Sequence, residues 1–191
     1  MRMGAGNLAA AKTMKQRNTR HLTDWQQDLL RYPSRPFLKE QSIWAIAVYR
    51  WGNGLLKQPD SWYKRINTKI YWLIFRFVET MTGISIPHEA QIGGGVRIHH
   101  FGNIFINPAV IIGRNCTLRH GVTIGNRVAD GPVPRIGNDV EFGAYAQVLG
   151  GVRIGNGAKI GAMSVVLKDV PDGCTAVGNP ARIINLHHCE N

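Results

Sequence analysis

From about Ile92 to Val170, apolar positions recur every six residues. They stand at Ile106, Ile112, Leu118 and Ile124, and again at Ile136, Phe142, Val148, Ile154, Ile160 and Val166. A second small or aliphatic residue follows most of them by four places: Val110, Cys116, Val122 and Val128, then Val140, Ala146, Val152, Ala158, Ser164 and Val170. Gly often comes directly after the first position, as in IGRNCT, IGNDVE and IGNGAK. A period of six matches neither an α-helix nor an alternating meander. It predicts a coil of short parallel strands joined by tight corners, with inward side chains repeating at each corner.

The period fails twice. Ile98 and Ile106 are eight residues apart, so HHFGNIFI carries two extra residues or an irregular corner. Ile124 and Ile136 are twelve apart, and Pro132 and Pro134 forbid a strand between them. NRVADGPVPR is therefore expected to leave the coil as a loop, and loops thrown out of rigid scaffolds commonly carry function.

Upstream, the pattern turns helical. HLTDWQQDLLRY predicts a helix with Thr23 as N-cap, broken by YPSRPF. LKEQSIWAIAVYRWGNGLL predicts a second, ended by Gly52-Asn53-Gly54. A third, over about 61–80, repeats Ile66, Ile70, Leu73 and Phe77 at helical spacing. The expected division is a basic disordered tail (1–20), an α-helical region (21–82), a β-coil domain (83–178) and a C-terminal tail (179–191).

Charge sharpens this division. The chain of 191 residues carries a formal +11. Residues 1–80 hold fourteen Lys and Arg against five acids, and all five tryptophans. The remainder holds nine against seven. Basic, Trp-rich helices suit either packing and assembly on the coil or contact with an anionic membrane surface. No nucleic-acid-binding motif appears, so nucleic acid is not an expected partner. The longest apolar run, Ile70–Phe75, is too short to span a bilayer, and the N-terminus lacks a signal-peptide core. A cytoplasmic protein is expected, with contact at the inner face of the membrane as an option. The three cysteines show no metal-ligand spacing, and no metal is expected.

The stretch IPHEAQIGGGVRIHHFGNIFINPAVIIGRNCTLRHGVTIG and the closing IGNGAKIGAMSVVLKDVPDGCTAVGNPARII resemble the hexapeptide-repeat acyltransferases. Within them the chain is most similar to the serine acetyltransferase-like branch, and there to acetyltransferases of exopolysaccharide synthesis. The resemblance covers about residues 84–184. It implies a mainly β fold, a left-handed parallel β-helix, although β–crossover–β units are generally right-handed. It also implies acetyl-CoA as acyl donor and a homotrimer with sites between subunits.

Acyl transfer to a hydroxyl needs a base to take its proton, and histidine suits that role. In serine acetyltransferases the position of HHFGN reads Asp-His, so the resemblance makes His100 the base. His99 then stands where the Asp would, as substrate contact or orienter. His120, in LRHGVTIG, either lines the groove between subunits or is a satisfied side chain on a solvated flank. By position, the coenzyme would lie against Thr123, Gly125, Gly143, Ala144, Gly161 and Ala162, with Lys168 and Arg182 for its phosphates. Each Gly and Ala also has a plain reading, because tight corners require small residues.

Two departures bear on the acceptor. The Asp that pairs with the catalytic His in the family is replaced by Ser85, and the loop's Arg-His pair by Pro132 and Val133. Arg127, Asp130 and Arg135 are the remaining polar candidates in that region. Serine needs a charged clamp for its carboxylate, whereas a sugar hydroxyl does not. The expected function is therefore an acetyl-CoA-dependent O-acetyltransferase acting on a sugar of a surface polysaccharide, with serine acetylation as the alternative. A β-helix without catalysis that organises a complex is a third reading, disfavoured by the paired histidines.

Overall fold

A computed structural model describes residues 21–184; the expected tail at 1–20 and the last seven residues lie outside the described residues. Four helices precede the coil: α1 (Asp24–Leu29), α2 (Pro36–Lys39), α3 (Ser42–Leu56) and α4 (Trp62–Thr82). Thr23 caps α1 as the sequence predicts, its hydroxyl accepting from the Gln26 amide and the Gln26 side chain returning the bond. The Gly52-Asn53-Gly54 segment does not end α3, which runs through it. Gly52 serves close packing instead: a Cβ there would lie 2.7 Å from His88 Cβ and would strike the Tyr71 ring. Helix α4 is capped by Ser61 and stopped by Gly83 at φ +64°.

From Ile84 the chain visits three sheets in turn, parallel throughout except for the last strand. The first carries β1 (Ile84–Ser85), β4 (Ile104–Ile106), β7 (Thr123–Gly125), β10 (Gln147–Leu149) and β13 (Val165–Val166). The second carries β2 (Gln91–Ile92), β5 (Ile111–Ile112), β8 (Arg135–Ile136) and β11 (Arg153–Ile154). The third carries β3 (Arg97–His99), β6 (Thr117–Arg119), β9 (Glu141–Phe142), β12 (Lys159–Ile160), β14 (Thr175–Gly178) and β15 (Ala181–Ile184). The result is a left-handed parallel β-helix of about five turns, mainly β, with an α-helical segment at its N-terminal end.

Every apolar position of the six-residue repeat from Ile106 to Val170 is buried except Val128. Regular turns are eighteen residues long: Ile106 lies opposite Ile124, and Val148 opposite Val166. The two sequence irregularities are insertions into that register. Ile98 pairs with Leu118, twenty residues on, so two extra residues sit in the corner after β3. Ile112 pairs with Ile136, twenty-four residues on, so six extra residues sit between β7 and β8. Pro134 is buried and takes the inward corner place that the repeat assigned to Val128, which is 63% exposed in the loop.

The corner between the second and third sheets explains its own composition. Asn115, Asp139, Gly157 and Gly173 all adopt φ between 57° and 69°, a left-handed conformation that Asn, Asp and Gly tolerate best. One residue earlier, side chains climb the coil: Asn138 accepts from the Arg114 amide, Asn156 from the Asn138 amide, and Asp172 from the Asn156 amide, at 2.8–2.9 Å.

Helices close the N-terminal end. Ile43, Ile46 and Tyr49 of α3 join the same apolar core as Ile84, Ala90 and Ile98. Polar groups on the open edge of the first turn find partners in helical side chains, which removes an unpaired strand edge. The buried Asp28 carboxylate accepts from the Gly95 and Val96 amides at 2.8 Å and from Arg50 Nε at 2.7 Å. Arg50 also donates to the Ile92 and Gly93 carbonyls. The Tyr49 hydroxyl donates to Ala90 O, and Arg31 reaches the carbonyls of Gly95 and Asn115. At the other end β15 folds back antiparallel on β14.

Candidate active site

The widened corner after β3 presents the two histidines. Along β3 Ile98 enters the core, while Arg97, buried beneath the helical region, and the half-buried His99 share the other face of the strand. His100 is exposed and held at φ +64°, with Gly102 and Asn103 also left-handed, and this turn lifts its ring off the coil. His120 comes from the next turn of the same corner. Its ring centroid lies 5.9 Å from that of His100 and 5.2 Å from that of Tyr145, one turn further on. His120 Nδ1 is buried with no hydrogen-bond partner among the described residues. A buried polar atom without a partner is costly, so this nitrogen is a ready contact for an added group.

A cavity of about 340 Å³ adjoins the pair, lined by Lys39, Glu40 and Ser42 from the helical region and by Arg97, His99 and His100 from the coil. Arg97 is its fixed wall. Its Nη2 donates to Glu40 Oε1 at 2.6 Å, its Nη1 lies 2.5 Å from Oε2, and its guanidinium sits 4.0 Å over the Tyr32 ring. Partial burial holds the His99 imidazole below its ordinary pKa, and the Arg97 and Arg119 cations push it the same way. Both effects favour the neutral form of the His99 ring. Among the described residues His100 makes no ion pair with a carboxylate, and Ser85 stands on β1 beside Phe105 of β4.

The remaining expected residues separate into groups. Gly143, Ala144, Gly161 and Ala162 follow the histidines down the same corner, a column of small residues on successive turns. Gly143 is required by packing as well, since a Cβ would lie 2.7 Å from Ala162 Cα. Thr123 opens the adjoining strand β7, and Gly125 closes it at the far edge of that sheet. Arg127 and Asp130 lie exposed in the inserted loop, and Arg135 lies exposed on β8 of the second sheet. Within one chain these three are separated from His100 by the width of the first sheet, about 10 Å for a three-residue strand. Lys168 is exposed just beyond β13, and Arg182 is exposed on β15.

Sequence reasoning missed Glu40 and Arg97. The two-residue spacing from Arg97 to His99 was the available signal, because it places both on one face. Nothing in the sequence ties Glu40 to them across fifty-seven positions.

Comparison with known proteins fits this geometry. The family described as Bacterial transferase hexapeptide (six repeats) matches residues 134–168. The serine acetyltransferase of Synechococcus elongatus is 40% identical over 114 residues, 59% of this chain and 47% of that protein, so the chain spans about half of that relative. The putative colanic acid biosynthesis acetyltransferase WcaB of Escherichia coli is 45% identical over 113 residues, 58% of this chain and 70% of that protein. A serine acetyltransferase solved in complex with CoA superposes with a TM-score of 0.70 at 31% identity, covering 84% of this chain and 66% of that one.

Proposed function

Because the chain belongs to the hexapeptide-repeat acetyltransferases, in their serine acetyltransferase-like branch, we propose that it moves an acetyl group from acetyl-CoA to a hydroxyl, with His100 as general base. The observation that carries this reading is the position of His100 on a widened corner. It stands at the head of a column of small residues and beside a cavity of about 340 Å³.

Each part has a chemical task. The acceptor occupies the cavity and offers a hydroxyl to the His100 imidazole. The imidazole takes the proton as the oxygen attacks the thioester carbonyl. The tetrahedral intermediate then expels the thiolate, which takes the proton from the imidazolium as free thiol. His99, whose surroundings disfavour a proton, hydrogen-bonds the acceptor beside the base. Glu40 and Lys39 offer further partners to a polyhydroxylated substrate. His120 contacts the acceptor or the reacting acyl group through its free nitrogen. The pantetheine arm lies along the column of Gly143, Ala144, Gly161 and Ala162, near Thr123 and Gly125, with Lys168 and Arg182 toward the phosphates.

The site is completed between subunits of a homotrimer. The inserted loop, with Arg127 and Asp130, and nearby Arg135 lie across the first sheet from their own His100, so they serve the histidine corner of a neighbouring copy.

The acceptor is a sugar hydroxyl of a surface polysaccharide. Two features support this: Pro132 and Val133 stand where the family resemblance would place an Arg-His pair, and WcaB is similar over more than half of this chain. Serine remains the second reading, supported by the cyanobacterial relative. Thiol release from acetyl-CoA, measured with monosaccharide and oligosaccharide acceptors and with L-serine, separates them. Acceptor-dependent release with sugars is expected; turnover with serine alone would overturn the sugar reading.

A further inference from the structure

Helix α4 has two unlike faces. Tyr71, Phe75 and Val78 are buried, with the Tyr71 ring 6.1 Å from Trp51 and 4.5 Å from His88. The opposite face is apolar and exposed. At about 100° per residue, Trp62, Ile66, Ile70, Leu73, Phe77 and Met81 fall within an arc of roughly 100°. Trp62 and Leu73 are 74% and 73% exposed, and no residue of this set is under 43%. A row this long exceeds the scattered apolar residues normal on a soluble surface. Arg65, Lys69 and Arg76 line one flank of the arc, and no acid lies on the arc.

Two of the three cations of this flank, Arg65 and Lys69, are not matched among the described residues, whereas Arg76 is paired with Glu79. Each of the five acids up to Glu79 is already in an ion pair: Asp24 with Arg114, Asp28 with Arg50, Glu40 with Arg97, Asp60 with Lys64, and Glu79 with Arg76. Among the described residues, Arg65 and Lys69 are in no ion pair. A second copy of the helix would not supply what is missing. Antiparallel pairing about a two-fold sets the cationic row against itself. Parallel packing sets it against the other flank, where Asn67 and Ile74 stand and no acid does. An anionic lipid surface supplies both needs at once, headgroups for the cations and an acyl boundary for the apolar arc. Among the described residues no helix is long and apolar enough to cross a membrane, so α4 would lie in the surface plane.

We propose that the outer face of α4 binds the surface of an anionic membrane, seating Trp62, Leu73 and Phe77 at the headgroup boundary with Arg65 and Lys69 against lipid phosphates. The test is flotation of the full chain with vesicles of phosphatidylcholine alone or mixed with phosphatidylglycerol. The native chain is expected to float with the mixed vesicles at low salt, and less as salt is raised. Arg65→Glu/Lys69→Glu should lower partitioning into the mixed vesicles by at least about 25-fold, since each cation is worth about fivefold near such a surface. Leu73→Glu/Phe77→Glu should abolish flotation with an unchanged melting temperature and an unchanged mass by light scattering. Failure of the native chain to float with phosphatidylglycerol vesicles would overturn the proposal. So would a lower mass for the Leu73→Glu/Phe77→Glu variant, because the face would then be an interface between copies.

Discussion

At His99 and His100, two adjacent imidazoles occupy unlike environments, and the difference follows from the backbone. His99 is the last residue of a strand and shares a face with Arg97. His100 is turned outward by a left-handed backbone. Burial and the two neighbouring arginines disfavour a proton on His99. Its folded pKa lies below the free imidazole's roughly 6.5. As pH falls from 6.5 toward the lowered value, the unfolded chain takes up this proton first, so folding stability falls across that window. Titration of the His99 C2 proton by NMR should give a midpoint below 6.5, moved upward in Arg119→Ala, whose side chain stands in register one turn on. A midpoint at or above 6.5 would contradict the neutral role. The histidine pair was legible in the sequence because it interrupts a strict repeat. The arginine–glutamate wall beside it was not, because a contact between a helix terminus and a distant strand leaves no local period.

Single elements show how the helical region and the coil become one body. The first coil turn would expose the amides of Gly95 and Val96, and Asp28 of α1 satisfies both while Arg50 of α3 holds its charge. Removing one member of a buried pair leaves the other uncompensated, typically at about 3–5 kcal/mol. Asp28→Ala is therefore expected to lower the melting temperature by roughly 6–20 °C for a chain of this size. A fall of under about 2 °C would show that the cap is not held by this carboxylate. The hexapeptide period made the coil and its two interruptions readable, since burial at each corner demands the same residue types. Its phase through the second interruption was not readable, because Val128 and Pro134 both satisfy an apolar pattern and only packing selects Pro134. The end of α3 was misleading for a related reason: Gly52 serves the approach of Tyr71 on α4, not a break in the helix.

At the scale of the whole molecule, the six-residue insertion and the histidine corner face opposite edges of one sheet. Deleting residues 128–133 restores six-residue spacing between Ile124 and Ile136, with Pro134 still inward. The coil should keep its melting temperature within a few degrees, because shortening a surface loop changes stability little. Acetyl transfer should fall if the loop serves a neighbour's histidine. Co-expression of the deleted chain with a His100→Ala chain would then recover part of the activity in mixed trimers. No recovery would place each site within one chain.

The most direct measurement is the rate of acceptor-dependent thiol release by His100→Ala beside its affinity for coenzyme A. With His100 as general base, the rate should fall by about 10²–10⁴-fold, the usual worth of such a group, while the dissociation constant for coenzyme A changes by no more than about twofold. A rate equal to that of the native chain would contradict that role.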